Sequence, residues 1–271
     1  MINYNAILIS GPTASGKSNL ALDIAKKCNG VIINADSMQV YNDLSIITAK
    51  PTVYQMSLVP HFLYGFIDSR IRFSVGDWLK TIESLLIFLD KMKIAPIIVG
   101  GTGLYFAGLF GEVSTIPQIN QETRLKWQKI QDNDGLEYIY RFLQKNDPLA
   151  ANSINVNDKA RIIRASEVFD QTGKSIKEWQ KNTGEILVKG DNIKKIYVCP
   201  SKEKIHNNIS TRIESMLESD EFFDEIKILK EKNIPLSYPS MKAIGVREVI
   251  EYLEGNNSLE ELKIKINNQT K

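Results

Sequence analysis

The sequence has little cysteine, no long hydrophobic run and almost no net charge. Only two cysteines, Cys28 and Cys199, occur among 271 residues, and they lie far apart in the chain. They provide neither a disulfide framework nor the paired spacing of a zinc site, which suits a reducing cytosol, so we expect a cytoplasmic protein. No segment approaches the roughly 18 uninterrupted apolar residues of a membrane-spanning helix, so we expect no membrane association.

The weak charge and the ordinary composition also limit the class of protein. A formal net charge of +2 does not by itself indicate a nucleic-acid partner. The first ten residues, MINYNAILIS, lack the charged segment and long apolar run of a signal peptide, so we expect no secretory leader. A chain of this length and composition predicts a globular protein of one large domain or two smaller ones.

The sequence does contain a phosphate-binding loop between a predicted strand and a predicted helix. Residues 11–18, GPTASGKS, fit the pattern G-x-x-x-x-G-K-[ST], with an apolar run before them and helical spacing of apolar residues after them. Backbone amides and the helix N-terminus surround phosphate oxygens in such a loop. Lys17 adds a full charge, and the Ser18 hydroxyl can bind Mg²⁺. The motif predicts a bound di- or triphosphate without identifying it.

A second apolar run, VIINA at 31–35, predicts a buried parallel strand that ends at Asp36. Because ligands bind at the carboxyl ends of strands in an open α/β sheet, we expect Asp36 to lie beside the phosphate loop. The alternative is that Asp36 caps the following turn or helix. A further strand, PIIV at 96–99, leads into the glycine-rich turn GGTG, which has the form of a second loop facing substrate.

The remaining pattern predicts a parallel α/β sheet flanked by helices, like that of P-loop NTPases, with an all-helical insertion domain. Helix signals follow one another from about 116 to 185, a strand returns at 195–199, and helices are predicted over 202–219, 221–232, 240–254 and from 258. We therefore assign 1–115 and 186–271 to the core domain and 116–185 to the insertion. Between these, 42–72 predict mainly loops, and a helix from Ser74 has an apolar face of Trp78, Ile82, Leu85, Leu86, Leu89 and Met92.

Six motifs in order resemble the tRNA dimethylallyltransferase family: GPTASGKS, NADSMQVY, TAKP, GGTGLYF, NDKARIIRASEVF with TGKS, and SMKAIGVRE. The resemblance covers the chain from residue 7 to about 266. It implies transfer of an isopentenyl group from dimethylallyl diphosphate to the exocyclic amine of the adenosine just 3′ of the anticodon, in tRNAs that read codons beginning with U. The partners it implies are dimethylallyl diphosphate and the anticodon stem-loop of tRNA, with Mg²⁺ as cofactor, and we expect a monomer.

The resemblance also implies roles for individual residues. The family's catalytic positions fall on Asp36, as the acid–base group, Thr13 and Arg212. The donor diphosphate would be bound by Gly11, Pro12, Thr13, Ala14, Ser15, Gly16, Lys17 and Ser18, with Ser18 also on the metal. The tRNA would be contacted by Asp36, Ser37, Met38, Gln39, Thr102, Arg124, Ala160, Arg161, Ile162, Ile163 and Arg164. The helical insertion would grip the stem-loop.

Three features depart from the family's pattern. Ile47 stands where glycine usually precedes TAKP, and Asn208 stands where an arginine often precedes Arg212 by one helical turn. The chain ends at Lys271, before the basic, aromatic-containing segment with which the family usually continues.

Three alternatives share the same motifs. A small-molecule or nucleotide kinase would use the same loop and sheet, and an adenylate isopentenyltransferase would perform the same chemistry on a free nucleotide. A nucleic-acid-binding protein without activity is the third. The large helical insertion favours the RNA substrate. Arg161 and Arg164 are three residues apart, so they lie on one helix face. They either contact phosphates there or are simply solvated.

Overall fold

The computed structural model describes residues 6–190 and 192–270, and the chain divides into two compact units. One unit, the core unit, comprises the chain up to Phe106 together with the chain from Leu187 onward; the other, the helical unit, is Ala107–Ile186. The helical unit thus begins earlier than the predicted boundary at 116. The reason is a local pairing. Phe110 forms an antiparallel bridge with Ile186, so the first residues of the helical unit pair with its last residues.

Within the described residues, the core unit is built on five parallel strands in the order β3-β2-β4-β1-β5. They are β1 (Ile7–Ser10), β2 (Val31–Asn34), β3 (His61–Phe62), β4 (Pro96–Gly100) and β5 (Lys194–Tyr197). β2 and β4 are buried along their whole length, which explains their continuous apolar sequence. The predicted α/β fold is confirmed. β3, with only two residues, was missed because it is too short to show a period.

The register of the sheet brings three connecting segments to the same edge. Ser10 at the end of β1 lies opposite Gly100 at the end of β4, and Asn34 at the end of β2 lies opposite Val99. The phosphate loop after β1, Asp36 after β2 and the glycine-rich turn after β4 therefore leave the sheet side by side.

The helices of the described residues occur in both units. They are α1 (Lys17–Cys28), α2 (Val53–Leu58), α3 (Val75–Lys91), α4 (Gly103–Leu109), α5 (Gln121–Asn146), α6 (Pro148–Ala151), α7 (Lys159–Thr172), α8 (Ile176–Trp179), α9 (Lys202–Leu217), α10 (Asp220–Glu231), α11 (Val246–Leu253) and α12 (Leu259–Thr270). Among the described residues, none of these helices is both long and apolar enough to cross a membrane.

Helix α3 begins after Ser74, as predicted, and its first turn is closed by a capping box. The Asp77 amide donates to Ser74 Oγ at 3.2 Å, and the Ser74 amide donates to Asp77 Oδ2 at 2.9 Å. Most of the predicted apolar face is buried, whereas Met92 is 57% exposed. Met92 was wrongly placed in the core because the helix ends at Lys91 and leaves Met92 as its C-cap.

The helix predicted over 240–254 is wrong in its first part. Ser240–Lys242 form a 3₁₀ turn, and α11 begins only at Val246. The two are separated by Gly245, whose φ of 95° lies in the left-handed region that glycine adopts at little cost. Apolar spacing did not show this break, because Met241 and Val246 are buried on both sides of it.

The helical unit has its own apolar core. α5 and α7 supply most of it, and the buried side chains include Trp127, Ile139, Leu143, Ile162, Ala165 and Val168. α5 is interrupted at Gly135, whose φ of 80° and ψ of 176° are not helical. The predicted run of helix signals over this segment is therefore one element, α5, made of two helical pieces that meet at a kink.

The two edges of the sheet differ from its centre. β3 is two residues long, and β5 exposes Lys194 and Lys195 and leaves Tyr197 67% exposed. A short strand and a lysine-bearing strand are two common ways in which proteins protect unpaired sheet edges.

Candidate active site

The phosphate loop joins β1 to α1 and depends on two glycines. A Cβ at Gly11 would lie 2.5 Å from the Val198 carbonyl oxygen, so no other residue fits where the loop passes β5. Gly16 has a φ of 90° and caps α1 without a side-chain hydrogen bond. The first-turn amides of α1 therefore have no side-chain cap, and this end of the helix can receive an anion.

Ser15 places a buried hydroxyl inside this loop. Its Oγ has no hydrogen-bond partner among the described residues and would lie 3.0 Å from a Cβ at Gly11. A buried hydroxyl without a partner costs about 1–3 kcal/mol. A phosphate oxygen in the loop would recover this energy, so the orphaned hydroxyl fits the predicted role of Ser15 in binding the diphosphate.

Two cations lie beside the loop, and among the described residues neither forms an ion pair. Lys17 Nζ donates to the Pro12 carbonyl at 3.0 Å, and Arg212 Nη2 donates to the Ile47 carbonyl at 2.7 Å. Burial lowers the pKa of both groups; Asp36 opposes this effect, and Arg212 lowers the pKa of Lys17 further. Lys17, Arg212 and Asp36 therefore lie within electrostatic reach of one another, two cations with one carboxylate.

Asp36 lies where the sequence predicted it, beside the phosphate loop. A Cβ at Gly101 would lie 3.7 Å from Asp36 Oδ2 and 3.9 Å from the Gly11 carbonyl oxygen, so one small space borders both. The capping alternative is also correct, since Asp36 Oδ1 accepts the Met38 amide at 2.9 Å. One carboxylate oxygen therefore fixes the turn, and the other is directed toward the glycine-rich turn.

Asn34 orients Asp36, and the sequence analysis missed it. Asn34 Oδ1 accepts the Asp36 amide at 2.8 Å, and Asn34 Nδ2 donates to the carbonyls of Asp36 and Leu63 at 2.9 and 3.0 Å. Trp78 Nε1 donates to the Asn34 carbonyl at 3.0 Å, which connects α3 to the same strand. The feature of the sequence that could have indicated this role is the polar amide side chain of Asn34 inside the apolar run VIINA.

The ends of β2 and β4 touch directly. A Cβ at Gly100 would lie 2.1 Å from the Ala35 carbonyl oxygen, so only glycine permits this approach. Beyond it, the Ser37 amide donates to Thr102 Oγ1 at 2.9 Å. Ser37 and Thr102, both predicted to contact tRNA, are therefore brought together at the carboxyl edge of the sheet.

The segment 45–50, which includes TAK, forms a third loop of the site. Gln39 Nε2 donates to the carbonyls of Thr48 and Ala49 at 2.8 and 3.2 Å, so this predicted tRNA residue is tied to that loop. Asn208 Nδ2, where the family often has arginine, donates to the Ala14 carbonyl at 2.9 Å. Ile47, where the family usually has glycine, is buried.

A cavity of about 250 Å³ opens beside Ser18. Leu22, Ile32 and Val99 give it an apolar wall, while His61 and Tyr64 lie on another side. Burial lowers the pKa of His61, and burial, with a smaller effect of Asp36, raises the pKa of Tyr64. Both side chains are therefore neutral near pH 7, and Tyr64 lies within electrostatic reach of Asp36.

The donor set suits a magnesium ion that arrives with its ligand. The Ser18 hydroxyl is exposed in the first turn of α1, and hydroxyl and carboxylate oxygens are the ligands that Mg²⁺ prefers. No cluster of three metal-ligating side chains occurs in the described part of the chain. The residues thus fit Mg²⁺ held largely by phosphate oxygens and water, with Ser18 as a protein ligand.

The other predicted tRNA residues belong to the helical unit, within which Arg124 and Arg164 are neighbours. Burial lowers the pKa of Arg164; Glu167 opposes this effect and Arg124 adds to it. Ala160 and Arg161 are exposed. Ile162 is fully buried in the core of the helical unit and Ile163 packs against that core. The Ile162 side chain therefore belongs to the packed core of the unit, and contact of residues 160–164 with tRNA stays a prediction.

Comparison with known families matches nearly the whole chain. A family model described as IPP transferase matches residues 39–271, and one described as isopentenyl transferase matches residues 4–61. A tRNA dimethylallyltransferase of Bartonella henselae is 42% identical over 264 residues, covering 97% of this chain and 90% of its own length. One of Allorhizobium ampelinum is 41% identical over 260 residues, covering 96% and 85%.

Solved structures agree. A tRNA isopentenylpyrophosphate transferase of Staphylococcus epidermidis has a TM-score of 0.66 and 31% identity, covering 98% of this chain and 86% of its own. A eukaryotic dimethylallyltransferase acting on tRNA has a TM-score of 0.79 and 27% identity, covering 98% of this chain and 66% of its own.

Proposed function

This chain belongs to the IPP transferase family, and we propose that it transfers a dimethylallyl group from dimethylallyl diphosphate to tRNA. The acceptor we propose is the exocyclic amine of the adenosine just 3′ of the anticodon, in tRNAs that read codons beginning with U. The observation that carries the proposal is the small space that both Asp36 Oδ2 and the phosphate loop border, with Lys17 and Arg212 within electrostatic reach of Asp36. A carboxylate, two cations and an anion-binding helix end are the parts that this transfer needs.

The loop and its cations would bind the diphosphate and stabilise it as it leaves. The amides at the start of α1 and the Ser15 hydroxyl would donate to phosphate oxygens, while Lys17 and Arg212 would balance the charge that develops on the leaving group. Lys17 bonds to a carbonyl oxygen that it can exchange for phosphate without breaking an ion pair, and Arg212 can keep its bond to the Ile47 carbonyl because the guanidinium has further N–H donors for phosphate. Mg²⁺, held by Ser18 and the diphosphate, would add further charge compensation.

Asp36 would orient the attacking amine and accept its proton. Its Oδ1 is held by the Met38 amide and its backbone by Asn34, so the carboxylate direction is fixed before substrate binds. Oδ2 borders the same space as the phosphate loop, where the allylic carbon must lie. An adenine would have to leave its stack in the anticodon loop to reach this point.

In this proposal the helical unit binds the anticodon stem-loop, with Arg124, Arg161 and Arg164 as its phosphate contacts. We also propose that the enzyme acts as a monomer, which light scattering after size exclusion measures. The kinase and adenylate isopentenyltransferase alternatives find less support, because the relatives quoted above are named for action on tRNA. The isopentenyl transferase match covers only residues 4–61.

The test is direct. The protein is incubated with dimethylallyl diphosphate, Mg²⁺ and unmodified tRNA that reads U-initial codons, and the tRNA is analysed by mass spectrometry. A gain of one dimethylallyl group on the adenosine 3′ of the anticodon supports the proposal. If the tRNA gains no mass and free AMP is modified instead, the protein is an adenylate isopentenyltransferase. If the tRNA gains no mass and ADP is released from ATP, the protein is a kinase.

A further inference from the structure

Glu225 is a carboxylate that the transfer reaction does not use, yet it bonds to one of the loops of the site. It lies on α10 and accepts three consecutive backbone amides: those of Ser45 and Ile46 on Oε2 at 2.7 and 2.8 Å, and that of Ile47 on Oε1 at 3.1 Å. Backbone amides bonded to a carboxylate form the stronger, charge-assisted kind of hydrogen bond. A side chain distant in sequence therefore fixes the direction of this turn.

The turn that Glu225 fixes is the one that holds Arg212. The Ile47 amide bonds to Glu225, and the Ile47 carbonyl accepts from Arg212 Nη2 at 2.7 Å. The half-buried arginine lies within electrostatic reach of Asp36 and Lys17 and bonds to this carbonyl rather than to a carboxylate. If the turn rotates, the carbonyl moves, and a long side chain that loses its one bonded partner gains rotamer freedom.

We propose that Glu225 is a positioning residue for the diphosphate site, acting through the 45–47 turn on Arg212. It touches neither the donor nor the acceptor. Its carboxylate holds the turn so that the guanidinium already points to the phosphate loop when the diphosphate arrives. This inference rests on the proposed function only in that the anion is a diphosphate.

The informative variant is Glu225→Gln. Its amide has one oxygen and one NH₂ group, so whichever way it turns, a donor faces at least one backbone amide donor. Glu225→Asp, which keeps the charge but is one methylene shorter, serves as a second variant. Glu231→Gln is the matched control, because Glu231 is exposed and belongs to the same helix.

Titration calorimetry measures the affinity for inorganic pyrophosphate in the presence of Mg²⁺. It is carried out on each single variant and on each variant combined with Arg212→Lys. We expect Glu225→Gln to weaken binding about fivefold to tenfold in the native background and to have almost no effect with Arg212→Lys, because coupled residues are not additive. Glu231→Gln should match the native protein. In the transfer assay, the donor KM should rise more than kcat falls.

Two results would overturn the inference: an unchanged pyrophosphate affinity in folded Glu225→Gln, or an equal loss in both backgrounds. The second result would mean that Glu225 acts by another route. Pyrophosphate binding needs no tRNA, so the two proposals can fail separately. If the effect of Glu225→Gln on pyrophosphate affinity depends on Arg212 but the protein does not prenylate tRNA, only the proposed function is rejected. If the protein prenylates tRNA but that effect does not depend on Arg212, only the role of Glu225 is rejected.

Discussion

The cations at the phosphate loop and those of the helical unit are held in opposite ways. Lys17 and Arg212 are largely buried and donate to backbone carbonyls, at 3.0 and 2.7 Å. In the helical unit, Lys126 pairs with Asp170 at 2.8 Å. Arginines there also pair with acids, Arg161 with Asp158 at 3.0 Å and Arg164 with Glu167 at 3.6 Å.

The difference indicates what each set of charges is for. Two largely buried cations with a single carboxylate, Asp36, within electrostatic reach leave an excess of positive charge that lowers the stability of the protein, which points to an anion that is not part of the chain. An exposed ion pair such as Arg161–Asp158 contributes about 0–1 kcal/mol, so a phosphate can replace its carboxylate at little cost. The loop is therefore suited to strong binding of a small anion, and the helical unit to weaker, salt-dependent contacts.

The strongest expected effect comes from Asp36, the carboxylate that faces both loop cations. Asp36→Asn should lower kcat for prenyl transfer by about 10²–10⁴, the usual contribution of a general base. The asparagine Oδ1 can still accept the Met38 amide, so the turn should persist. Transfer assays and tRNA binding should show lost turnover with nearly native affinity. Turnover within a few-fold of native would mean that Asp36 is not the base.

Next in size is the removal of one loop cation. Lys17→Met should lower kcat/KM for the donor by about 10²–10³, the range observed when one group stabilising a developing anion is lost. Lys26→Met, on the exposed side of α1, is the control with the same change of charge and should retain native kinetics. Equal losses in the two variants would show that net charge, not the buried position, matters.

The buried state of Lys17 also predicts a pH dependence. Its pKa is lowered from 10.5 by burial, and a bound diphosphate would raise it again. Between these two pKa values binding takes up a proton, so donor affinity should fall as pH rises, by at most about tenfold per pH unit. Pyrophosphate titrations across the alkaline range measure this. In Lys17→Arg, whose guanidinium stays protonated, the alkaline fall should disappear; if it persists, another group is responsible.

Smaller effects are expected in the helical unit. Arg164→Ala should weaken tRNA binding about threefold to tenfold and reduce the slope of log affinity against log salt by about one. Arg141→Ala is the control, because Arg141 is similarly paired, with Glu137, on an exposed surface of the same unit. Binding curves measured at several salt concentrations give the affinity and the salt slope of each variant. An unchanged slope in Arg164→Ala would mean that this arginine contacts no phosphate.

The smallest expected effect is that of Asn208, which touches the phosphate loop from α9. Asn208→Ala removes an exposed hydrogen bond to the Ala14 carbonyl. Such a bond contributes about 0.5–1.5 kcal/mol at most, so we expect the donor KM to rise about twofold with kcat unchanged. Asn208→Arg tests the commoner family residue. A larger KM with arginine than with asparagine would show that this loop is adapted to the shorter side chain.

Local patterns predicted most of the fold and the centre of the site. The strand, loop and helix around 11–18, and the position of Asp36 at the end of β2, are set by short stretches whose period and glycines are visible in sequence. Errors occurred where the local period continued across a break, as at Gly245, or where an element was too short, as at His61–Phe62.

The role of Glu225 was missed because it depends on long-range hydrogen bonds. Glu225 bonds to a turn some 180 positions earlier in the chain, and Arg212 to the same turn. Nothing in the local sequence of α10 distinguishes Glu225 from the other acids of an amphipathic helix. The buried state of Ile162 within a predicted tRNA segment was missed for a related reason, since a helix carries both a packed and a solvated face.

The edges of the sheet have a consequence for handling the protein. A second molecule that approached β5 edge to edge would bring the lysines at 194 and 195 of both copies together, and β3 offers too few backbone groups to start a ladder. Concentrated solutions at low ionic strength should therefore stay free of sheet-mediated fibres. Added salt, by screening the ammonium groups, removes that protection first at β5.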